Sequence, residues 1–100
     1  MREFSGVDFE VLAFIERLGC SLLKLDLLKF FNRNPNIRDT SLGIALRVGR
    51  EKEAVALELY DLHLLGIVER EEFDNTYVYY LNPDKGLREL LARALSELNF

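Results

Sequence analysis

The sequence predicts a mainly helical fold closed by one small β-hairpin. Three observations carry this. Apolar residues recur at three- and four-residue spacing in five separate stretches between residues 7 and 98. Between residues 67 and 81 that period gives way to short β-prone runs on either side of Phe73-Asp74-Asn75. Cappers, glycines and asparagines fall between these stretches, where helices must start and stop. A chain of 100 residues with 49% hydrophobic content suits one compact domain spanning residues 1–100 and leaves no room for a second.

Val7, Val11, Leu12, Phe14, Ile15 and Leu18 form an amphipathic helical stripe over residues 7–18, with Asp8 placed to cap it and Gly19 to end it. Leu22, Leu23, Leu25, Leu27, Leu28, Phe30 and Phe31 predict a second helix, capped by Ser21. Its apolar face is broad enough for a central, buried position. Asn32-Arg33-Asn34-Pro35-Asn36 is loop chemistry, because Asn tolerates left-handed backbone angles and Pro removes a donor. Ile37 and Arg38 then suit a short edge strand. Thr40 can cap a helix over residues 41–47, Gly49 can turn the chain, and a long helix follows over residues 50–65 with Gly66 at its end. Residues 67–71 and 76–81, the latter rich in Tyr77, Tyr79 and Tyr80, form the hairpin. Asn82-Pro83-Asp84 ends the second strand. A last helix over residues 84–98 aligns Leu87, Leu90, Leu91, Ala94, Leu95 and Leu98 on one side.

Within this order, Thr40 to Glu69 carries a recognisable pattern. Ala45 is a small residue inside the first short helix, Gly49 stands four residues later in the turn, and Ile44, Val48 and Val55 are branched apolar residues around both. The ending Leu59, Leu62, Leu65, Gly66, Ile67, Val68, Glu69, Arg70 completes it. This arrangement resembles the helix-turn-helix core of a winged-helix domain, over roughly residues 21–81, with an additional helix at each terminus. One position departs from the pattern: the second apolar residue expected three after Val55 is Glu58, and Leu59 takes its place. The resemblance implies a winged helix-turn-helix fold and a small prokaryotic transcriptional regulator, contacting double-stranded DNA through the helix over residues 50–65. Families of this fold often pair through terminal helices, so the two apolar-faced terminal helices imply a homodimer.

The net charge is −4, so the chain is not drawn as a whole toward phosphate or anionic lipid. Its charge is unevenly placed. Residues 32–52 hold Arg33, Arg38, Arg47, Arg50 and Lys52 against two acids, Asp39 and Glu51, whereas residues 53–100 hold four cations against ten acids. In a winged helix the first group would meet the DNA backbone, leaving Ala56, Tyr60 and His63 nearest the base edges. A rotation of 100° per residue with Val55, Leu59 and Leu62 inward turns Glu53, Ala56, Leu57, Tyr60 and Leu64 outward. That face has no Lys or Arg to read guanine, and the hairpin is acidic at Glu69, Glu71, Glu72 and Asp74. Leu57, Tyr60 and Leu64 therefore suit a protein contact, and the alternative reading is a winged-helix interaction module in a larger assembly.

Catalytic chemistry is sparse. The sequence holds no glycine-rich phosphate motif, nucleophile signature or histidine pair, so no enzyme, cofactor or metal is expected. Cys20 is a single cysteine and reads as a small core or boundary residue; His63 reads as a half-exposed residue complementing a helix dipole. The tyrosines of the hairpin read as packing residues more than as a ligand pocket. Asp8 and Glu10 interrupt the apolar start, no stretch reaches a membrane span, and the expected location is the cytoplasm.

Overall fold

The computed structural model describes residues 8–19 and 21–98. Val7 and Cys20, both assigned places above, lie outside them. Five helices and three strands follow one another among the described residues.

Helix α1 (Phe9–Leu18) starts where the Asp8 carboxylate accepts from the Glu10 and Val11 N–H groups, and ends at Gly19 with φ 72°. Helix α2 (Leu22–Arg33) is capped by Ser21, whose hydroxyl accepts from the Lys24 N–H. It runs past Asn32, where the sequence placed loop, because the Asn34 amide Nδ2 donates to the Phe30 carbonyl at 2.9 Å and extends the helix to Arg33. Strand β1 (Arg38–Thr40) leads directly into α3 (Ser41–Val48), with the Thr40 hydroxyl accepting from the Gly43 N–H at 3.1 Å.

Gly49 adopts the left-handed conformation, φ 69°, and reverses the chain into α4 (Lys52–Leu64). The expected start at Arg50 is corrected by the Glu51 side chain. It accepts from the Glu53 and Ala54 N–H groups and so fixes the cap one residue before Lys52. At the other end Leu65 is the cap and Gly66, φ 79°, the residue beyond it. The Ile67 N–H reaches back to the Leu62 carbonyl and the Gly66 N–H to that of His63, the paired bonds of a Schellman motif. Ile67 is thereby turned inward to start the hairpin of β2 (Val68–Phe73) and β3 (Thr76–Leu81). Phe73 belongs to β2, so the turn is the two residues Asp74 and Asn75. Both have positive φ, as a type I′ turn requires. Helix α5 (Lys85–Leu98) opens on Asp84, whose carboxylate accepts from the Leu87 N–H at 2.8 Å.

The sheet is antiparallel in the order β1-β3-β2, with Arg38 opposite Tyr80 and Arg70 opposite Tyr79. One core collects Phe14 from α1, Leu27, Leu28 and Phe31 from α2, Ile44 from α3, and Val55, Leu59 and Leu62 from α4. Val68, Tyr79 and Leu81 from the hairpin and Leu91 and Ala94 from α5 complete it. This is the winged-helix arrangement. The substitution of Leu59 for the expected apolar position is real: Leu59 is fully buried, while Glu58 is half-buried with its Oε2 enclosed and without a hydrogen-bond partner. Leu12 and Leu22, counted above among core-facing residues, are exposed instead. Val11, Phe14 and Leu18 already fill the inward stripe of α1, and Leu23, Leu27 and Phe31 that of α2, so each helix has more apolar residues than this core covers.

Among the described residues one charged side chain is interior. Lys24, on α2, donates to the Leu18 carbonyl at 2.8 Å and ion-pairs with Asp61 of α4. The Arg17 guanidinium donates to the Leu65 carbonyl at 3.5 Å, so the end of α1 is tied to α4 twice.

Candidate nucleic-acid interface

The α3-turn-α4 unit is positioned from beneath by its core residues and from the side by Asp39. The Asp39 carboxylate accepts from the Thr40 N–H at 2.8 Å and pairs with Arg47 at 3.2 Å. It lies so close to α3 that a Cβ on Gly43 would stand 2.2 Å from its Oδ1, so glycine is what leaves room for that carboxylate.

The five predicted phosphate contacts divide. Arg33 and Arg47 line one cleft between the C-terminal ends of α2 and α3. Arg50, in the turn, is held by an ion pair with Asp26, another residue of that cleft. Lys52 opens α4, exposed and without an ion-pair partner among the described residues. Arg38 is separate. Strand alternation puts it on the sheet face opposite Asp39 and Tyr79, where its guanidinium stacks 3.8 Å from the Tyr80 ring and pairs with Glu71 at 3.4 Å. Three of the five cations thus already face an acid, although all three pairs are solvent-exposed and individually weak.

The amino end of α4 is less open to phosphate than its dipole suggests. The Glu51 carboxylate occupies it, and its bonds from the Ala54 and Glu53 N–H groups hold its pKa below the ordinary value.

Along α4 the outward residues are Leu57, 71% exposed, Tyr60, 44%, and Leu64, 64%. Ala56 and His63 are half-buried, and the His63 Nδ1–H donates toward the Val68 carbonyl at 3.4 Å, so His63 turns to the hairpin more than to solvent. The structure adds a cation that sequence reasoning passed over. Arg70 lies 4.0 Å from the Tyr77 ring and 5.1 Å from the Tyr60 ring, clamping β2, β3 and α4 together at the edge of this face. Its register partner Tyr79 is buried. The signal was present in the sequence: reading Asp74-Asn75 as a two-residue turn sets Arg70 opposite Tyr79 and diagonal to Tyr77. The acidity of the hairpin is also partly absorbed, since Glu71 accepts from the Tyr80 hydroxyl at 2.9 Å as well as from Arg38. Among the described residues no group of His, Cys, Asp and Glu side chains is arranged to hold a metal ion, and no helix is long and apolar enough to cross a membrane.

No protein-family model and no curated protein matches the sequence. Solved structures do. A possible transcriptional regulator from Methanosarcina mazei Go1 superposes with a TM-score of 0.67 at 18% identity, over 98% of this chain and 87% of that one. The YusO protein from Bacillus subtilis matches with a TM-score of 0.61 at 17% identity, over 95% and 69% of the two chains. A MarR family transcription regulator matches with a TM-score of 0.59 at 17% identity, over 94% and 62%. The fold of this chain is therefore a winged helix with an added helix at each end, shared with solved proteins of which one is described as a transcription regulator and one as a possible transcriptional regulator.

Proposed function

We propose that the chain is a single winged-helix domain acting as a non-enzymatic transcriptional regulator that binds double-stranded DNA through α3 and α4. The observation that carries the proposal is the gathering of Arg33, Arg47, Arg50 and Lys52 around the α3–α4 turn in an otherwise acidic chain. In this reading those residues contact phosphates, Arg38 serves the backbone beside the hairpin, and Ala56, Tyr60 and His63 lie nearest the bases. Arg70 joins them as the cation between α4 and the hairpin. Pairing of two copies through the terminal helices is supported by the exposed Phe9, Leu12 and Leu22 and by an apolar cleft of about 300 Å³ lined by Ile15, Leu22, Leu25 and Leu98. Such a dimer would present two recognition helices to one duplex in the cytoplasm.

Fluorescence anisotropy against mixed duplex DNA at two salt concentrations tests this. Binding should weaken steeply with salt, and Arg33→Ala or Arg47→Ala should each lower the salt slope by about one. Absence of binding at low salt would reject the reading. A second reading, docking of a partner protein on α4, is favoured by the exposure of Leu57, Tyr60 and Leu64. It predicts no duplex binding at low salt, and loss of partner capture in Leu57→Asp and Tyr60→Asp.

A further inference from the structure

We propose that the cleft between the C-terminal ends of α2 and α3 binds a small phosphate monoester, with Arg33 and Arg47 on the phosphate and Phe30 and Val48 against its organic body. The cleft measures about 360 Å³, at the lower end of the range in which small-molecule sites fall. Lys29, Arg33 and Arg47 line it against Asp26 alone, and Asp26 is ion-paired with Arg50. Arg33 from α2 and Arg47 from α3 reach the same recess, so an anion between them is attracted by both.

Cations at the ends of α2 and α3 also complement the helix dipoles, which accounts for their presence. Dipole complementation does not account for their convergence on one hollow with an aromatic wall. Arg33 has no ion-pair partner among the described residues, and Arg47 has one, the half-buried Asp39 at 3.2 Å. Both guanidinium groups can therefore present a fork to phosphate oxygens. Phe30 and Val48 are half-buried and packed on the core, so the apolar wall is fixed in place. The Asn34 amide donates to the Phe30 carbonyl and leaves its oxygen to accept from a ligand hydroxyl.

The same phosphoryl chemistry could come from a DNA backbone, but charge and shape favour the free ester. A monoester carries about −1.5 to −2 at neutral pH and three acceptor oxygens on one end, whereas a backbone phosphodiester carries one charge. The monoester can enter the recess end-on. This site stands independently of DNA binding, and because Arg33 and Arg47 serve both, an ester bound there would compete with a duplex.

Isothermal titration calorimetry of the full chain with glucose 6-phosphate at constant ionic strength tests the proposal, with glucose and added chloride as controls. The expected result is saturable binding of the ester alone, weakened about tenfold or more in Arg33→Gln/Arg47→Gln and unchanged in Lys85→Gln. Both replaced side chains are exposed, and circular dichroism checks that the double variant is folded; Arg33→Gln alone serves if it is not. No saturation, or equal affinity in the double variant, overturns the proposal. A duplex that binds and loses affinity in the double variant while the ester does not bind assigns these arginines to DNA and also overturns it. Ester binding without duplex binding upholds the site and removes the DNA reading.

Discussion

Breaking the interior ion pair between Lys24 and Asp61 should cost very different amounts according to which partner is removed. The Lys24 side chain is 9% exposed and that of Asp61 is 46% exposed. Asp61→Ala leaves an ammonium group in the interior with the Leu18 carbonyl as its remaining acceptor. Stranding a fully buried charge costs roughly 3–5 kcal/mol, and the solvent that reaches the Asp61 end lowers this to about 2–3 kcal/mol. Lys24→Met removes the interior charge, fills similar space, leaves behind a carboxylate already half in water and takes the donor from the Leu18 carbonyl, at a cost of about 1–2 kcal/mol. The double variant should resemble Lys24→Met, giving a coupling energy of about 2 kcal/mol between the sites. Urea unfolding of the four proteins measures this, and Asp61→Ala should also melt about 8–24 °C below the parent, at about 4–8 °C per kcal/mol for a domain of this size. If Asp61→Ala proves no less stable than Lys24→Met, the claim that Lys24 is held as a buried charge is wrong.

Three further outcomes follow from local features. Glu58→Leu should stabilise the fold by about 1 kcal/mol in chemical denaturation, because it removes an enclosed carboxylate oxygen with no partner, and Glu58→Gln should give no such gain. Asn75→Val should cost about 1–2 kcal/mol, seen as a lower melting temperature, since a β-branched residue is forced to φ 64°; Asn75→Gly should be neutral or better. The hydrogen bond to Glu71 raises the Tyr80 pKa above the ordinary tyrosine value, so the stability it contributes is complete below the unfolded pKa and disappears as pH rises through the folded one. An ultraviolet titration should show one late-ionising tyrosine that is lost in Tyr80→Phe.

Much of the fold was legible because local signals agreed. Asp8, Ser21 and Thr40 cap the helices that begin beside them, and Gly49 and Gly66 adopt the positive φ that their places between elements imply. Boundaries shifted where a side chain did work that composition does not reveal. Glu51 is an uncommon capper and took the start of α4 from Arg50, and Asn34 bonded backward and lengthened α2. The candidate site was legible as a list of cations but not as an arrangement. Arg33, Arg47 and Arg50 fall near one another because α2 and α3 pack, whereas Arg38 stands on the far face of the sheet by one step of strand alternation. Lys24 was hidden for the same reason: its acid lies 37 residues away on another helix, and periodicity within one element cannot report that. Arg70 was passed over because a three-residue turn was assumed, which blurs the cross-strand register.

The clamp of Arg70 over Tyr60 and Tyr77 also has a mechanical meaning. Gly66 is the obvious joint between α4 and the hairpin, yet a guanidinium gripping rings on both sides of it acts as a brace across that joint. The Schellman bonds lock the joint from within, and the brace locks it from outside. Helix and hairpin are therefore held like the arms of a calliper, and a target gripped between them, as proposed above, would be measured by the distance between the arms.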